Sequence, residues 1–416
     1  MITEEENEIL TRVGPGTPCG ELMRRYWHPI AVTSELDRNP TKRVRLLCED
    51  LVLYRDRSGT LGLVEPQCAH RRVDLYYGIP EAAGIRCPYH GWLYDESGAC
   101  TEQPYEQAAD PGSRFRDKVR LNAYPVQELG GMIWAYLGPD PAPLLPRWEP
   151  LIREGSLRDV GSTVIPCNWL QIQENSLDPV HTEWLHGALT NYAYERQGMP
   201  DRIRGRVGHE KVGFDVFEHG IIKRRVTEGL SEDSEEWRRG HPILFPNILV
   251  VGALDAVDFQ FRVPIDDEHT QHYFYTVNTP GIPVPTQRHP ELFDVPVPMH
   301  HEQGAPRWEY LDTAPGQDII AWVTQGAIAK REKERLGLSD TGVILFRKLL
   351  SDNIEKVQRG EDPMNTFRDP VANQCVRLQT EFDHSATGTG PAHKYSPLTP
   401  EIRRLFAEAQ EKAGAR

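Results

Sequence analysis

The sequence has no long apolar run and no concentration of positive charge. No stretch of 18 apolar residues occurs among its 416 residues, and the first residues, MITEEENEILTRVGPG, are acidic without an apolar core. A membrane span and a secretory signal peptide are therefore both unsupported, and we expect a cytoplasmic protein. The formal net charge is -14, and no Lys/Arg run offsets it. Because phosphate contacts need local positive charge, these features argue against nucleic acid and favour a small substrate or a protein partner.

Cysteine is also sparse. The seven cysteines, an odd number, are spread over more than 350 positions, unlike the framework of a small disulfide-rich domain. In a reducing compartment, cysteine and histidine at close spacing are typical of metal sites. The 34 glycines and 34 prolines are scattered through the chain, which favours strands joined by turns, and the length allows two or three domains.

Strand patterns dominate the first third of the chain. Residues 44–54 and 60–65 are apolar runs around an Asp-Arg-Ser-Gly turn at 56–59, and a strand-turn-strand pattern follows at 92–102. A proline-rich stretch then marks a domain boundary near residue 147. We predict an N-terminal arm over 1–26, a small all-β domain over 27–147, and a second domain over 148–416.

The second domain shows both strand and helix patterns. Alternating segments predict antiparallel strands at 241–252, 256–266 and 269–280, and helical spacing occurs at 317–337 and 398–414. Residues 280–298 are rich in proline and are predicted to form a loop. Strands in a run with helices at the ends indicate an α+β fold.

One glycine-rich segment resembles a nucleotide-binding motif only superficially. The stretch GPGTPCG at 14–20 has the spacing G-x-G-x-x-x-G, contains two prolines and follows no strand. The sequence therefore shows no nucleotide site, and any reducing equivalents must come from another protein.

Two cysteines and two histidines lie within 23 positions, as Cys68-Ala-His70 and Cys87-Pro-Tyr-His90. Unligated core residues are one interpretation, and tetrahedral zinc is another. Zinc-finger spacings usually pair like with like, whereas each loop here supplies one thiolate and one imidazole. A [2Fe-2S] cluster with two thiolates on one iron and two imidazoles on the other accounts for that mixed pattern.

The arrangement resembles the Rieske motif of the ring-hydroxylating non-haem iron oxygenases. Cys-x-His is followed after sixteen residues by Cys-x-x-His and then by Gly91-Trp92. The resemblance implies that the four residues hold a Rieske [2Fe-2S] cluster, with Tyr89, Gly91 and Trp92 packing around it. The family often has Arg-Gly-Ala after the first histidine, whereas this chain has Arg-Arg-Val-Asp at 71–74, a departure that changes the local surface but not the ligands.

A second polar segment, CNWLQIQENSLDPVHTEWLH at 167–186, contains Glu174, Asn175, Asp178, His181 and His186. A zinc-protease motif needs histidines four apart with Glu beside the first, so the five-residue spacing and the position of Glu183 exclude it. Five residues advance about 500° around an α-helix, so both imidazoles reach one ion only where the helix bends or distorts. Two unrelated histidines are the alternative.

The same segment resembles the mononuclear-iron motif of these oxygenases, in the expected order after the Rieske domain. Fe(II) that activates oxygen prefers two histidines and one carboxylate, with open positions for dioxygen and substrate. The resemblance makes His181 and His186 two of the ligands and points to Asp318, 132 positions after His186, as the third. The alternatives are that Asp318 only interacts with a helix dipole, and that Asp312 is the ligand.

The resemblance also implies catalytic roles for Asp178 and Asn175. The matching aspartate of the family bridges an iron-ligand histidine, here His181, to a Rieske-ligand histidine of a neighbouring subunit, here His90. Such a bridge implies a head-to-tail trimer with heterologous interfaces. A carboxylate in that position also orients its histidine.

The resemblance extends over nearly the whole chain and is strongest to the phthalate 4,5-dioxygenase and 5,5'-dehydrodivanillate O-demethylase branch. It implies an all-β Rieske domain and a catalytic domain with an antiparallel sheet flanked by helices, in a helix-grip-like arrangement. It also implies a [2Fe-2S] cluster, mononuclear Fe(II), dioxygen, an aromatic acid and a separate NAD(P)H-dependent reductase or ferredoxin. We expect O-demethylation of a methoxylated aromatic acid, biaryl acids included. The alternatives are cis-dihydroxylation of a phthalate-type acid and an electron-transfer protein without oxygenase activity.

An anionic substrate in an apolar pocket needs a positive partner, because an unpaired buried carboxylate is costly. Arg224 and Arg225 are candidates for that partner, and solvated strand residues are the alternative interpretation. His241 and Phe245 lie on a predicted strand that we expect to border the iron.

Overall fold

The structure is a computed structural model that describes residues 2–252, 256–279, 282–284, 287–298, 306–378, 395–398, 400–401, 404–405 and 407–408. Two short helices open the chain, α1 (Glu4–Thr11) and α2 (Pro18–Met23). Thr3 and Glu6 form a reciprocal capping box at the start of α1. Three glutamates in the first turn interact favourably with the positive end of the helix dipole. Pro18 occupies the first turn of α2, where its missing N–H costs nothing.

Three small antiparallel sheets follow the helices, and together they account for the strands up to residue 136. They have the orders β1-β10-β9, β2-β3-β4 and β5-β6-β7-β8. Their bounds are β1 Trp27–Val32, β2 Thr41–Leu46, β3 Glu49–Arg55, β4 Leu61–Val64, β5 Ile79–Glu81, β6 Gly84–Arg86, β7 Leu93–Tyr94, β8 Cys100–Glu102, β9 Val126–Leu129 and β10 Met132–Tyr136. The helices of this part are α3 (Glu35–Arg38) and α4 (Pro104–Ala109).

The hairpin predicted around residues 56–59 is confirmed as β3 and β4, but the run 44–54 is not one strand. It divides between β2 and β3 at Leu47 and Cys48, which both adopt positive φ. Such a turn usually contains Asn or Gly, so the sequence had no signal for it. The Leu47 side chain is fully buried, and we infer that its packing offsets the strained backbone.

The rest of the chain forms one eight-stranded sheet, with order β12-β13-β14-β15-β16-β17-β11-β18. Its strands are β11 Leu157–Ile165, β12 His209–Phe217, β13 Gly220–Thr227, β14 His241–Leu244, β15 Ile248–Gly252, β16 Ala256–Pro264, β17 Thr270–Asn278 and β18 Glu291–Asp294. All pairings are antiparallel except that of β18 with β11. This sheet and its helices confirm the predicted α+β class.

The helices of this part of the chain include those that carry the candidate site. They are α5 Glu149–Ile152, α6 Trp169–Ser176, a π-helix Thr182–Leu189, α7 Thr190–Arg196, α8 Glu235–Arg239, α9 Ala314–Val323 and α10 Thr341–Gln358. Strand β16 alternates between its two faces. Phe261 packs edge-on against Trp134, with ring centroids 5.3 Å apart, while Arg262 donates to Gln173 of α6. The apolar face of the sheet therefore contacts the N-terminal sheets, and its polar face lies under α6.

Two predicted segments differ from the structure, and one helix was not predicted. The helix expected over 317–337 ends at Val323, because the chain turns through Gly326 at φ +98°. The loop expected over 280–298 contains β18, whose backbone pairs with β11. Helix α10 was not predicted, and the helix predicted over 398–414 lies largely outside the described residues. Among the described residues, no helix has both the length and the apolar character that crossing a bilayer requires.

Candidate metal centres

Four cysteine and histidine side chains meet at one end of the sheet β5-β6-β7-β8. Cys68 and Cys87 are buried, and the rings of His70 and His90 have centroids 4.5 Å apart. The ring of His70 stacks on Trp92 at 4.4 Å with an interplanar angle of 9°. His90 is exposed. The thiols therefore lie inside, and the imidazoles lie toward the protein surface.

Backbone hydrogen bonds shape the two loops. The amide of Arg72 donates to the carbonyl of Cys68 at 3.0 Å, and the amide of Gly91 donates to the carbonyl of Cys87 at 3.0 Å. Arg72 has φ +62° and Gly91 has φ +76°. Glycine adopts this conformation without strain, so Gly91 lets the second loop turn back directly after His90.

The donor set fits an iron–sulfur cluster better than it fits an unligated core. Nδ1 of His70 is buried and has no hydrogen-bond partner among the described residues, although a buried imidazole nitrogen normally has one. Burial raises the pKa of the Cys87 thiol. A thiolate there needs compensating positive charge, which a bound metal supplies while it displaces the proton.

The departure Arg-Arg-Val-Asp at 71–74 has its own contacts. Asp74 accepts from the amide of Tyr76 at 2.8 Å and pairs with Arg43 at 2.6 Å. The guanidinium of Arg71 lies 5.3 Å from the ring centroid of Tyr89, the exposed residue before His90. These contacts leave both cysteines in place and change only the surface beside the second loop.

The second candidate site begins in the π-helix Thr182–Leu189. A π-helix has i→i+5 hydrogen bonds and a wider turn than an α-helix, and it is often found at functional sites. Its geometry brings the rings of His181 and His186 to a centroid separation of 5.0 Å. The distortion that a five-residue spacing requires is therefore present in the backbone.

Asp318 completes a group of three potential ligands. Its Oδ1 lies 3.8 Å from Nε2 of His181 and 3.4 Å from Nε2 of His186. One ligand atom from each residue falls within 4.8 Å of the others, and no other such group of three His, Cys, Asp or Glu was found among the described residues. Asp312, the alternative ligand, is not in this group. Two imidazoles and a carboxylate are the donor set that non-haem Fe(II) prefers.

The protonation states of this group suit a cation. Burial lowers the pKa of His181 to about 4, which keeps its imidazole neutral at pH 7. Burial alone would raise the pKa of Asp318, but the hydrogen bond and charge of His186 outweigh it and lower that pKa. Burial acts to lower the pKa of His186, and Asp318 reverses the effect. A metal ion would take the place of the proton that His186 and Asp318 share.

Gln317 orients one of the imidazoles. Its Oε1 lies 2.8 Å from Nδ1 of His186, and its Nε2 donates to Oγ1 of Thr190 at 2.6 Å and to the carbonyl of Leu311 at 2.7 Å. Because Nε2 of Gln317 has two acceptors, its Oε1 faces the imidazole and accepts from Nδ1. The other nitrogen of His186 then carries the free lone pair. In the sequence, only the position of Gln317 beside Asp318 could have indicated this function.

Asn175 and Asp178 lie at the end of α6, next to this group. Nδ2 of Asn175 donates to Oδ1 of Asp318 at 3.4 Å. Oδ1 of Asp178 accepts from the amide of Val180 at 2.8 Å, and its Oδ2 lies 3.8 Å from Nδ1 of His181. The Asp178 side chain is half-buried. It therefore contacts the ligand histidine on one side and reaches the surface on the other.

The predicted substrate residues are not gathered in one place. Arg224 pairs with Asp215 at 2.7 Å and donates to backbone carbonyls at α8, and Arg225 pairs with Glu236 at 3.1 Å. Phe245 lies in the apolar core, with its ring 6.2 Å from that of Tyr26 and 5.9 Å from that of Phe346.

His241 opens β14 opposite Lys223 of β13. Lys223 is a buried cation whose charge lowers the pKa of His181, after the larger effect of burial. It therefore faces the three-residue group from the sheet. The strand pattern in the sequence did not indicate that Lys223, rather than Arg224 or Arg225, faces this group.

Comparison with known proteins identifies both parts of the chain. Residues 26–125 match the Rieske [2Fe-2S] domain, and residues 305–381 match a domain described as LigXa C-terminal domain like. The chain is 44% identical to the 5,5'-dehydrodivanillate O-demethylase oxygenase subunit of Sphingobium sp., over 91% of this chain and 87% of that protein. It is 32% identical to the phthalate 4,5-dioxygenase oxygenase subunit of Pseudomonas putida, over 91% and 92%.

Solved structures agree in fold. NdmA of Pseudomonas putida CBB5 with caffeine has a TM-score of 0.60 at 19% identity, covering 88% of this chain and 100% of that one. The oxygenase in an oxygenase–ferredoxin complex of carbazole 1,9a-dioxygenase has a TM-score of 0.58 at 21% identity, covering 86% and 96%. Together with the sequence relatives, these matches confirm the predicted family and its two cofactors. The chain belongs to the Rieske non-haem iron oxygenases, as an oxygenase component whose family uses a [2Fe-2S] cluster and a mononuclear iron.

Proposed function

We propose that this oxygenase component O-demethylates a methoxylated aromatic acid, using dioxygen and electrons from a separate reductase or ferredoxin. The observation that carries the proposal is the pairing of a Rieske ligand set and a two-histidine, one-carboxylate group in a chain 44% identical to a dehydrodivanillate O-demethylase subunit. The names of further relatives, phenoxybenzoate dioxygenase and 3-chlorobenzoate-3,4-dioxygenase, also specify aromatic acids. The ferredoxin complex of carbazole 1,9a-dioxygenase supports a protein electron donor.

Each ligand set has a defined task in this proposal. Cys68, His70, Cys87 and His90 hold the cluster, and His181, His186 and Asp318 hold Fe(II). When bound, the cluster passes single electrons and the Fe(II) activates dioxygen. Three protein ligands leave coordination positions open for dioxygen and for substrate to approach.

The neighbouring side chains keep the iron ligands in place. Oε1 of Gln317 accepts a hydrogen bond from Nδ1–H of His186 and so leaves Nε2 for the metal. Asn175 donates to Oδ1 of Asp318. This hydrogen bond orients the carboxylate and stabilises its charge. Both residues therefore act on the ligands and need not touch the substrate.

The charges under the site favour an anionic substrate. Lys223 and Arg262 are buried on the sheet strands that face α6 and the ligand group. Together with a divalent metal, these positively charged groups would attract a substrate carboxylate. Arg224, Arg225, His241 and Phe245 remain predicted substrate residues, and the pairing of Arg225 with Glu236 means that a substrate carboxylate would compete with an existing partner.

A head-to-tail trimer is part of the proposal. Near the cluster ligands, Tyr77 and Tyr89 are exposed, and on the iron side Trp184, Tyr192 and Val207 are exposed. Apolar surface of this kind is typical of protein interfaces. If the two surfaces meet between copies, Asp178 of one subunit approaches His90 of the next and the ring closes. Native mass spectrometry should give a trimer, and a monomer at micromolar concentration would contradict this arrangement.

The decisive experiment is product analysis after a single turnover. Protein with a chemically reduced cluster and added Fe(II) is exposed to dioxygen and to a panel of phthalates and methoxylated aryl acids. Formaldehyde and a phenol from a methoxylated acid, seen by mass spectrometry, are the expected products. A cis-diol with both oxygen atoms would assign phthalate-type dihydroxylation instead, and electron transfer without any product would assign an electron-transfer protein. His181→Ala is the matched control, because it keeps the cluster and should form no product.

A further inference from the structure

Glu174 is a buried carboxylate that the proposed reaction does not use. It lies on α6 directly before Asn175. Its Oε2 is 2.7 Å from Nη2 of Arg331, and its Oε1 is 2.6 Å from Nε of Arg347. Both arginines are buried, and Arg331 is 0% exposed. The segment 167–186, which resembles the iron motif, therefore also contains a buried ion-pair cluster whose partners, Arg331 and Arg347, are not metal ligands.

The two arginines connect α6 to distant parts of the chain. Nη1 of Arg331 donates to Oδ1 of Asn7 in α1 at 3.0 Å. Arg347 of α10 also donates to both carboxylate oxygens of Glu334, at 2.8 and 3.0 Å. Glu174 therefore joins α6 to both the first helix and the long α10.

Three consecutive residues of α6 bind in three directions. Oε1 of Gln173 accepts from Nη1 of Arg262 in the sheet at 3.2 Å, Glu174 pairs with the two arginines, and Asn175 donates to Asp318. Successive residues of an α-helix point about 100° apart. The first two contacts therefore contribute to the rotation of the helix about its axis, together with Gln171 of the same helix, whose Nε2 donates to the carbonyls of Trp322 and Gly326 at 2.8 Å. This rotation decides where the Asn175 side chain points.

A small rotation would break the contact at the iron ligand. The surface of an α-helix lies about 5 Å from its axis, so a turn of about 20° moves a surface group by roughly 2 Å. The hydrogen bond from Asn175 to Asp318 is already 3.4 Å long, close to the limit for such a bond. It would not survive a displacement of that size.

Because Glu174 is buried, its charge depends on its two arginine partners, and this dependence suits a residue that holds a helix in place. Burial acts to raise the pKa of Glu174, but Arg331 and Arg347 outweigh it, so the pKa lies below its ordinary value. The net stability gained from buried ion pairs is small, because desolvation cancels much of the attraction. Their geometry is demanding, however, and removing one partner leaves the other charges uncompensated.

We propose that Glu174 is a positioning residue for the iron site, because its ion pairs with Arg331 and Arg347 fix the rotation of α6 that holds Asn175 against Asp318. The inference rests on the proposed function only in that His181, His186 and Asp318 hold Fe(II). It predicts that a change at Glu174 reaches the metal without touching it.

The test measures the iron site of Glu174→Gln in the full-length protein with its cluster assembled. Fe(II) affinity is measured by anaerobic calorimetry, and the iron environment by EPR of the nitric oxide adduct with the cluster oxidised. We expect roughly 10-fold weaker Fe(II) binding, the size typical of a lost partner behind a ligand. The EPR signal should change, while the visible circular dichroism of the cluster should not. A folded variant with a lower Tm, Fe(II) affinity within twofold of wild type and an unchanged EPR signal would overturn the proposal.

Two further variants make the result decisive. Glu49→Gln removes the carboxylate whose Oε1 lies 2.7 Å from Nη1 of the buried Arg24, in the part of the chain before the large sheet. This variant should lower Tm without changing the iron site. An equal change in Fe(II) affinity in Glu49→Gln would show a general loosening of the structure and overturn the proposal.

If Glu174→Gln does not fold, Arg347→Lys keeps the charge but loses the two-point contact. It should weaken Fe(II) binding to a smaller degree, and unchanged binding would overturn the proposal. Wild-type protein that binds no Fe(II) would instead contradict the proposed function itself.

Discussion

The two candidate metal centres are built in opposite ways. The cluster ligands occupy 23 positions on two loops, with buried thiols and an exposed His90. The proposed iron ligands come from the π-helix and the residue before it and from a second helix, with Asp318 132 positions after His186. Their side chains are 15% to 23% exposed. An imidazole at the surface lets electrons cross to another protein, whereas an enclosed site limits the access of water to the reacting atoms. The exposure of each site therefore matches the step it performs.

The local devices also differ. At the cluster, Gly91 adopts a positive φ that reverses the chain directly after His90. At the iron site, the backbone widens into a π-helix and Gln317 orients a ring. A loop can place ligands by its own turns, but helices place them only when other helices hold their rotation. The two centres should therefore respond differently to mutation.

The largest expected effect is a reciprocal loss. Cys87→Ala should abolish the cluster, because a thiolate ligand has no substitute nearby, and should leave Fe(II) binding within about threefold of wild type. His181→Ala should weaken Fe(II) binding more than about 100-fold and leave the visible spectrum of the cluster intact. Metal analysis and visible spectra of both variants test the independence of the two centres. Loss of both metals in either variant would contradict it.

Asp178→Asn should uncouple the two metal centres, while each centre keeps its metal. The carboxylate near Nδ1 of His181 is half-buried, and in the proposed trimer it bridges to His90 of a second subunit. We expect both metals to be retained and turnover to fall roughly 100-fold, the upper end for a lost partner of a ligand. Rapid-mixing measurement of cluster oxidation, with Asp201→Asn as an exposed control, checks this. Normal turnover in Asp178→Asn would rule out the bridging role.

Gln317→Leu should affect the iron site alone. Without the acceptor at Nδ1, His186 can adopt the other tautomer and rotate, so Fe(II) binding should weaken by roughly 10-fold. Gln325→Leu is the matched control, since that side chain bonds only to the carbonyl of Ala321 near the end of the same helix. Anaerobic calorimetry measures both. Equal affinities in the two variants would mean that Gln317 does not orient the ligand.

The smallest expected effect is a pH dependence confined to the large sheet. Burial raises the pKa of Asp159 to about 7 and that of Asp258 to about 6, on the two strands that flank Thr276 of β17. Both values exceed the ordinary value near 4, so these two groups bind more protons in the folded state than in the unfolded state between about pH 4 and 7, and the stability they contribute falls as pH rises through that range. Burial lowers the pKa of His28 and of His181 to about 4, so these histidines act in the opposite direction up to about pH 6.5. The difference in Tm between wild type and Asp159→Asn isolates one carboxyl group, and it should fall by roughly 3 °C between pH 5 and 8.

Thermal unfolding followed by near-ultraviolet circular dichroism measures this difference, because the amide of Asp159→Asn does not titrate. Asp215→Asn on the exposed edge of the sheet is the control, and its difference from wild type should not change with pH. A difference between wild type and Asp159→Asn that stays constant from pH 5 to 8 would contradict the assignment of this carboxyl group.

Much of this protein could be predicted from its sequence because the informative patterns are local. The cluster ligands lie on two loops whose spacing alone indicated a mixed thiolate and imidazole site. Four of the eight strands of the large sheet, β14 to β17, lie in the segments 241–252, 256–266 and 269–280 where alternation predicted strands, although 241–252 divides into two strands. The five-residue spacing of His181 and His186 even indicated that the helix between them must be distorted, and the π-helix agrees.

Other features had no local signal. The turn at Leu47 and Cys48 contains neither glycine nor asparagine, and β18 lies in a proline-rich segment that pairs only because β11 offers a free edge. Helix α10 was not predicted from the sequence, and the structure shows it. The contacts of Arg224 and Arg225 with Asp215 and Glu236 depend on a neighbouring strand and on α8, so their sequence could not indicate them.

The sequence by itself determined the ligand types, their order along the chain and the class of fold, because donor chemistry and strand or helix period are properties of short segments. Only the tertiary structure decided that Asp318 meets His181 and His186, that Gln317 orients one ring, and that Glu174 pairs with two arginines. Each of these contacts joins residues more than 130 positions apart. Such contacts exist only when packed helices and the sheet bring distant segments together, and local sequence patterns do not encode that packing.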